Sequence, residues 1–310
     1  MHAVLAIVAP LFLIILIGVV CAATGLMDAA VTAALNRFVY YVALPALLFR
    51  GVAGADFATA FDPGFIAAFG GGIAITFLLV VTFRKKTAPR LADTAVQGLG
   101  ASFANAGFMG LPLAAMAFGD DGQQPAIVAT IMTACALFAA GLAVVETDLK
   151  SKARPAETLG KVLRVLAGNP LLLAPALGAL VSLSHVSLPM AVNTVTSLLG
   201  AAAGPCALFT LGLFIAQQRV LGRLKTVSWL AFLKLLVQPA ATYLLAFHVF
   251  PVPLVWAKVA VLSSGLPTGI GPFVLAKIYG LQGAEAAGTI LLSTALSVVT
   301  ISILLAALAA

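Results

Sequence analysis

Runs of apolar residues, separated by short polar or basic connections, fill most of the chain. They fall at about 3–23, 33–53, 62–83, 95–118, 125–146, 169–184, 188–215, 228–250, 254–278 and 284–309. None shows the period-two alternation of a membrane barrel strand. In hydrocarbon every backbone N–H and C=O needs an internal partner, so each run predicts a helix. Most are near the roughly 20 residues that cross a bilayer, and the sixth is short. The pattern therefore predicts an all-α transmembrane protein of ten helices.

Composition agrees. The 310 residues are 62% hydrophobic and 9% charged, against roughly 25% charged in soluble domains. The net charge of +7 does not call for a nucleic acid, because the cations cluster between apolar runs. Topology and anionic lipid headgroups account for them. With the odd-numbered connections inside, fourteen of the seventeen lysines and arginines face inward, including Arg37, Arg84, Lys85, Lys86 and Lys277. Arg50 and Lys258 remain outside, and Lys234 lies within the eighth run. This split puts both termini outside, and the expected location is the inner (plasma) membrane. Met1-His2-Ala3-Val4 lacks the basic start of a cleavable signal, so the first run reads as a retained span. Cys21, Cys135 and Cys206 are far apart and show no metal-ligand spacing.

The chain repeats itself. Pro10 and Gly18 match Pro170 and Gly178 at an offset of 160, as Pro45-Ala46-Leu47-Leu48-Phe49 matches Pro205-Cys206-Ala207-Leu208-Phe209. Gly110, Gly119 and Gly122 match Gly271, Gly280 and Gly283 at 161. Five spans per half force the second half to insert upside down, the inverted-repeat architecture of many secondary transporters. One membrane domain, 1–310, is expected, with halves at about 1–146 and 169–310 and a cytoplasmic linker at 147–168.

The fourth and ninth runs carry matching interruptions. One reads Asn105-Ala106-Gly107-Phe108-Met109-Gly110-Leu111-Pro112, the other Ser263-Ser264-Gly265-Leu266-Pro267-Thr268-Gly269-Ile270-Gly271-Pro272. Glycine permits non-helical backbone and proline removes a donor, so both helices should unwind in mid-membrane. Unpaired backbone groups there are tolerated only in protein or at a cavity. Exposed amides at a half-helix N-terminus suit a carboxylate. The expected substrate contacts are Asn105, Ala106, Gly107, Gly110, Pro112, Leu266, Pro267, Thr268, Gly269 and Gly271. Ser102 and Ser263 can add hydrogen bonds, and Pro45 and Pro205 bend the second helix of each half or line the site. The plain alternative is that glycine and proline only kink ordinary spans.

At these residues the sequence resembles the auxin efflux carrier family, which includes plant auxin exporters and bacterial malonate and malate permeases. Asn36-Arg37-Phe38-Val39 with Ala43-Leu44-Pro45 resembles its second-helix motif, and Asn105 to Pro112 its fourth. Leu266-Pro267-Thr268-Gly269-Ile270-Gly271-Pro272, continuing through Lys277 to Tyr279, is similar to its ninth. The resemblance implies crossing broken helices, a fold similar to bile-acid symporters and sodium–proton antiporters, a small organic anion as substrate and elevator-type alternating access. It is compatible with a homodimer. Many bacterial relatives have Asn in the ninth-helix break, where this chain has Thr268-Gly269.

Other charges are sparse. Arg37 and Lys277 fit snorkelling to headgroups. Lys234 is the deepest cation and reads either as a snorkelling residue or as a counter-charge for an anion. Arg50 is a candidate partner of Asp56 or Asp62. Glu146 is expected at the inner surface, Asp120 and Asp121 in an outer turn, Glu285 at a helix N-terminus, and His185 and His248 near the outer interface. No buried acidic pair announces a coupling ion, so proton and sodium both stay open, and no cofactor is expected. An intramembrane enzyme would need a nucleophile–base set beside Ser102, Ser263 or Ser264, and none is evident. A channel is the other alternative.

Overall fold

The computed structural model describes every residue except 1, 56–60, 85–89, 150–154, 185, 187, 219–221, 282 and 310. The described residues form helices joined by turns, with no strand beyond one isolated bridge. The helices are α1 (His2–Ala23), α2 (Ala29–Ala53), α3 (Pro63–Arg84), α4 (Leu91–Ser102), α5 (Leu111–Phe118), α6 (123–149), α7 (Pro155–Ala167), α8 (Pro170–Ser184), α9 (Met190–Gln217), α10 (Leu224–Val249), α11 (Leu254–Ser264), α12 (Gly271–Tyr279) and α13 (Gly283–Ala309). Seven helical stretches are long and apolar enough to cross a membrane. The pair α7 and α8, bent by 65°, makes an eighth.

One of the seven, Ala106–Leu149, is 44 residues long, roughly twice a bilayer's need. It reverses at Gly119–Gly122, where Gly119 takes φ 61°. A Cβ at Gly122 would lie 2.6 Å from the Ala114 carbonyl, so α5 and α6 double back on each other.

Local chemistry sets the ends. Asp28 caps α2, its Oδ1 accepting from Ala30 N at 2.9 Å and Val31 N at 3.0 Å. Asp62 caps α3 by accepting from Phe65 N at 2.6 Å. Asp62 is thereby accounted for, and Arg50 donates to Asn193 at 3.3 Å. Asp56 and His185 lie outside the described residues.

Proline also writes π turns into the helices. Val39–Ala43, Ala106–Gly110 and Leu233–Val237 each end two residues before Pro45, Pro112 and Pro239. In each, the residue before the proline bonds five residues back: Leu44 N to Val39 O, Leu111 N to Ala106 O, and Gln238 N to Leu233 O. The proline ring would crowd the carbonyl four residues behind it, and widening the turn relieves that. Pro205, by contrast, sits inside the continuous helix α9.

Helix packing uses small residues. α1 lies along α9 and α8 along α2. A Cβ at Gly18 would be 2.2 Å from Phe209 O, and one at Gly178 2.6 Å from Phe49 O. Without a hydrophobic force between helices in lipid, such close backbone approach is a main source of association. Leu13, Leu16, Ile17 and Val20 on α1 point outward, as lipid-facing side chains do.

The connection between the halves is not simply polar linker. It contains α7, whose Lys161 ion-pairs with Glu146 of α6. Glu146 is buried near the end of α6, and also accepts from the Tyr279 hydroxyl at the end of α12. Glu146→Ala should therefore lower stability by about 1–3 kcal/mol by removing the shared acceptor. Thermal unfolding of the purified protein in detergent checks this.

Candidate functional site

Both runs are broken, the ninth within its expected stretch and the fourth just ahead of it, since Gly107, Gly110 and Pro112 are helical. α4 stops at Ser102, and Phe103 and Asn105 leave helical geometry (φ −80°, ψ 93° and φ −75°, ψ 51°). α11 stops at Ser264, and the chain stays irregular until α12 begins at Gly271. The breaks then bond to each other. Asn105 N donates to Pro267 O at 2.9 Å, and Gly269 N donates to Phe103 O at 2.9 Å. Ala104 and Thr268 form an antiparallel bridge between them.

The carbonyls freed at the ends of α4 and α11 are satisfied by side chains. Thr268 Oγ1 donates to Gly100 O at 2.7 Å, and Gln238 Nε2 to Ser102 O at 3.1 Å. Lys234 Nζ donates to Ser264 O at 2.5 Å. Ser293 Oγ accepts from Thr268 N at 3.0 Å. This meets the requirement that irregular backbone in a membrane be buried in protein.

The N-terminal ends are different. Neither Asn105, before the Ala106–Gly110 turn, nor Ile270, before α12, makes a side-chain cap. Both ends open on one cavity of about 440 Å³, a size typical of small-molecule sites, which span about 300–1,000 Å³. Asn105, Ala106, Gly107, Gly269 and Gly271 line it. The amides of a helix's first turn lack partners within the helix and carry its positive end. Two such ends therefore converge here.

The remaining expected contacts sit behind the wall. Leu266 and Thr268 are buried in the crossing, and Gly110 packs on the Leu266 side chain. Pro267 supplies the carbonyl that Asn105 N binds, and Pro112 packs against Gly204 of α9. Ser102 and Ser263 are buried, Pro45 follows a π turn, and Lys277 is exposed on the last turn of α12. Ser102, Ser263, Pro45, Pro205, Lys234 and Lys277 lie off the cavity wall.

Several lining residues were not among the expected substrate contacts. Arg37 and Asn36 lie on the α2 side with Tyr40, and Thr130, Thr133 and Phe138 on α6. Arg37 is exposed and also lines the cavity, which lipid snorkelling alone does not explain. Its position beside the site's proline-induced π turn was the available signal. Among the described residues, Asn105 Nδ2 and Thr133 Oγ1 are buried polar atoms with no hydrogen-bond partner. A buried unmet polar group costs about 1–3 kcal/mol, and these two belong to residues that line the cavity. The wall is otherwise apolar and aromatic, with Leu44, Phe103 and Phe108.

An exposed rim cation acts on encounter more than on the bound state. Arg37→Gln should thus raise KM for an anion about 3- to 10-fold at low salt, with the difference shrinking as ionic strength screens it. Uptake kinetics at two salt concentrations check this.

Fold and site together define a multi-pass helical membrane transporter. The chain belongs to the membrane transport protein family, which matches residues 3–305, and so to the auxin efflux carriers it resembles in its motifs. It is 29% identical over 275 residues to a protein of Rhizobium meliloti (strain 1021) named "Putative malonate transporter". That match covers 87% of this chain and 85% of the relative.

Proposed function

We propose that the protein is a secondary active transporter of a small organic anion, a malonate- or malate-like carboxylate or an auxin-like acid. The observation that carries this reading is the crossing itself. Two uncapped helix N-termini and Asn105, whose side-chain amide is unpartnered, line one cavity, and among the described residues no carboxylate lines it. Such a site favours negative charge without a metal or a titrating base. The relative's name points to the same class of substrate.

The reading has a larger frame. α4 with α5 and α11 with α12 each count as one broken span, and α5 and α6 as parts of two. That gives ten spans in two inverted halves, at about 1–146 and 169–310, within one domain. The equivalent seams support it: Gly18 meets Phe209, and Gly178 meets Phe49, all at the 160-residue offset. The cation distribution supports an inner-membrane location with both termini outside. Elevator motion of the crossing helices, and a homodimer, belong to the same reading.

The test begins with a thermal-shift screen against mono- and dicarboxylates, then follows the best ligand into proteoliposomes. A carrier shows saturable uptake and accelerated exchange against internal substrate. Linear flux without counterflow would indicate a channel instead, and ligand-independent vesicles would end the proposal.

A further inference from the structure

Lys234 is the single fully buried cation among the described residues. It stands in the π turn Leu233–Val237, near the middle of α10. Its Nζ donates to the carbonyl of Ser264, the last residue of α11. One turn on, Gln238 donates to the carbonyl of Ser102, the last residue of α4. α10 therefore grips the C-terminal ends of both half-helices that lead into the crossing. From Ser264 the chain runs through the break to Gly269, which lines the cavity.

An ammonium carries three donors, and this one has a single acceptor. No carboxylate pairs with it among the described residues. The elements packed around its turn are α3, α4, α11 and α13. Their titratable residues are Arg84 at the end of α3, Asp93 in the first turn of α4, Lys258 near the start of α11 and Glu285 in the first turn of α13. Glu285 accepts from Gln97 rather than from Lys234. A neutral amine is satisfied by the one bond to Ser264, whereas a buried ammonium needs a compensating charge. The cavity on the other side of the break is built for an anion that would supply it.

We propose that Lys234 is a proton-binding site coupled to anion occupancy, so that the carrier moves a proton together with its carboxylate. A proton leaves bulk water, where an O–H bond breaks and hydroxide remains, and the amine lone pair takes it up in a new N–H bond. That bond breaks, and the proton returns to water, when the anion leaves. No other bond changes. The inference rests on the transport reading above, and adds that the anion's charge is offset by a protonated Lys234.

The test is titration of the purified protein with malonate, and in a second arm with indole-3-acetate. Each is run in buffers of different ionisation enthalpy, well above the ligand's own titration range. The wild type should take up a proton for each anion bound. Lys234→Arg keeps a donor for Ser264 but is permanently charged, so it should bind with no proton uptake. In vesicles, inward substrate transport should alkalinise the outside with wild type and not with Lys234→Arg or Lys234→Met. Wild-type binding without proton uptake overturns the inference alone, whatever the variants do. Proton uptake unchanged in Lys234→Arg overturns it too. Failure of both ligands to bind overturns the transport reading and this inference with it.

Discussion

Asn105→Ala should reduce uptake of the transported anion by about 10- to 100-fold while leaving expression and thermal stability near wild type. The side chain reaches the cavity wall with its Nδ2 unpartnered, so removing it breaks no bond within the protein. The backbone bond from Asn105 N to Pro267 O survives the substitution, and with it the crossing. On the proposed function what disappears is a donor to the anion, a contact of about 1.5–3 kcal/mol, or roughly one to two decades in affinity. Pro267→Ala should be equally damaging by another route, since it restores freedom to the segment whose carbonyl anchors Asn105. Labelled-substrate uptake into proteoliposomes, normalised to reconstituted protein, decides. If both variants transport like wild type, the site lies elsewhere.

The second large effect concerns folding rather than binding. A Cβ at Gly212 would stand 2.0 Å from the carbonyl oxygen of Ile15 and 2.9 Å from Val19 N, both rigid backbone atoms. Gly212→Leu must force α9 away from α1, at a cost above the about 1–3 kcal/mol of ordinary overpacking. We expect little folded protein by size-exclusion chromatography in detergent. Gly160→Ala on α7 is the control. Nothing lies within 4 Å of its added Cβ, and the helix gains up to about 1 kcal/mol from the exchange. Equal behaviour of the two variants would show that the α1–α9 seam does not hold the molecule together.

How much of this could be read beforehand varied with the kind of signal. Apolar runs located the helices to within a few residues, because lipid leaves a membrane-spanning backbone no alternative. The glycine and proline cluster of 263–272 located its break directly, whereas that of 105–112 begins just after the break at 103–105, and its Gly107, Gly110 and Pro112 are helical. The linker helix α7 was hidden by its polar composition, although Leu159 and Leu163 recur at helical spacing. The cavity wall was harder. Arg37, Tyr40 and Thr133 come from helices distant in sequence, and π turns re-aim their side chains by an amount that a 3.6-residue period does not anticipate. Lys234 was legible as a deep charge, but its partner is a backbone carbonyl thirty residues away, and carbonyls leave no mark in a sequence. The partners of Glu146 were unreadable for a similar reason: Lys161 and Tyr279 reach it from elements far along the chain.

The two breaks are joined through main-chain atoms, Asn105 N to Pro267 O and Gly269 N to Phe103 O. Amides and carbonyls are common to all residues save the missing proline donor, so this weld is blind to side-chain identity. A descendant of this gene can exchange the residues that face the cargo and still inherit an intact junction. Divergence in what is carried can thus outpace divergence in the architecture that carries it.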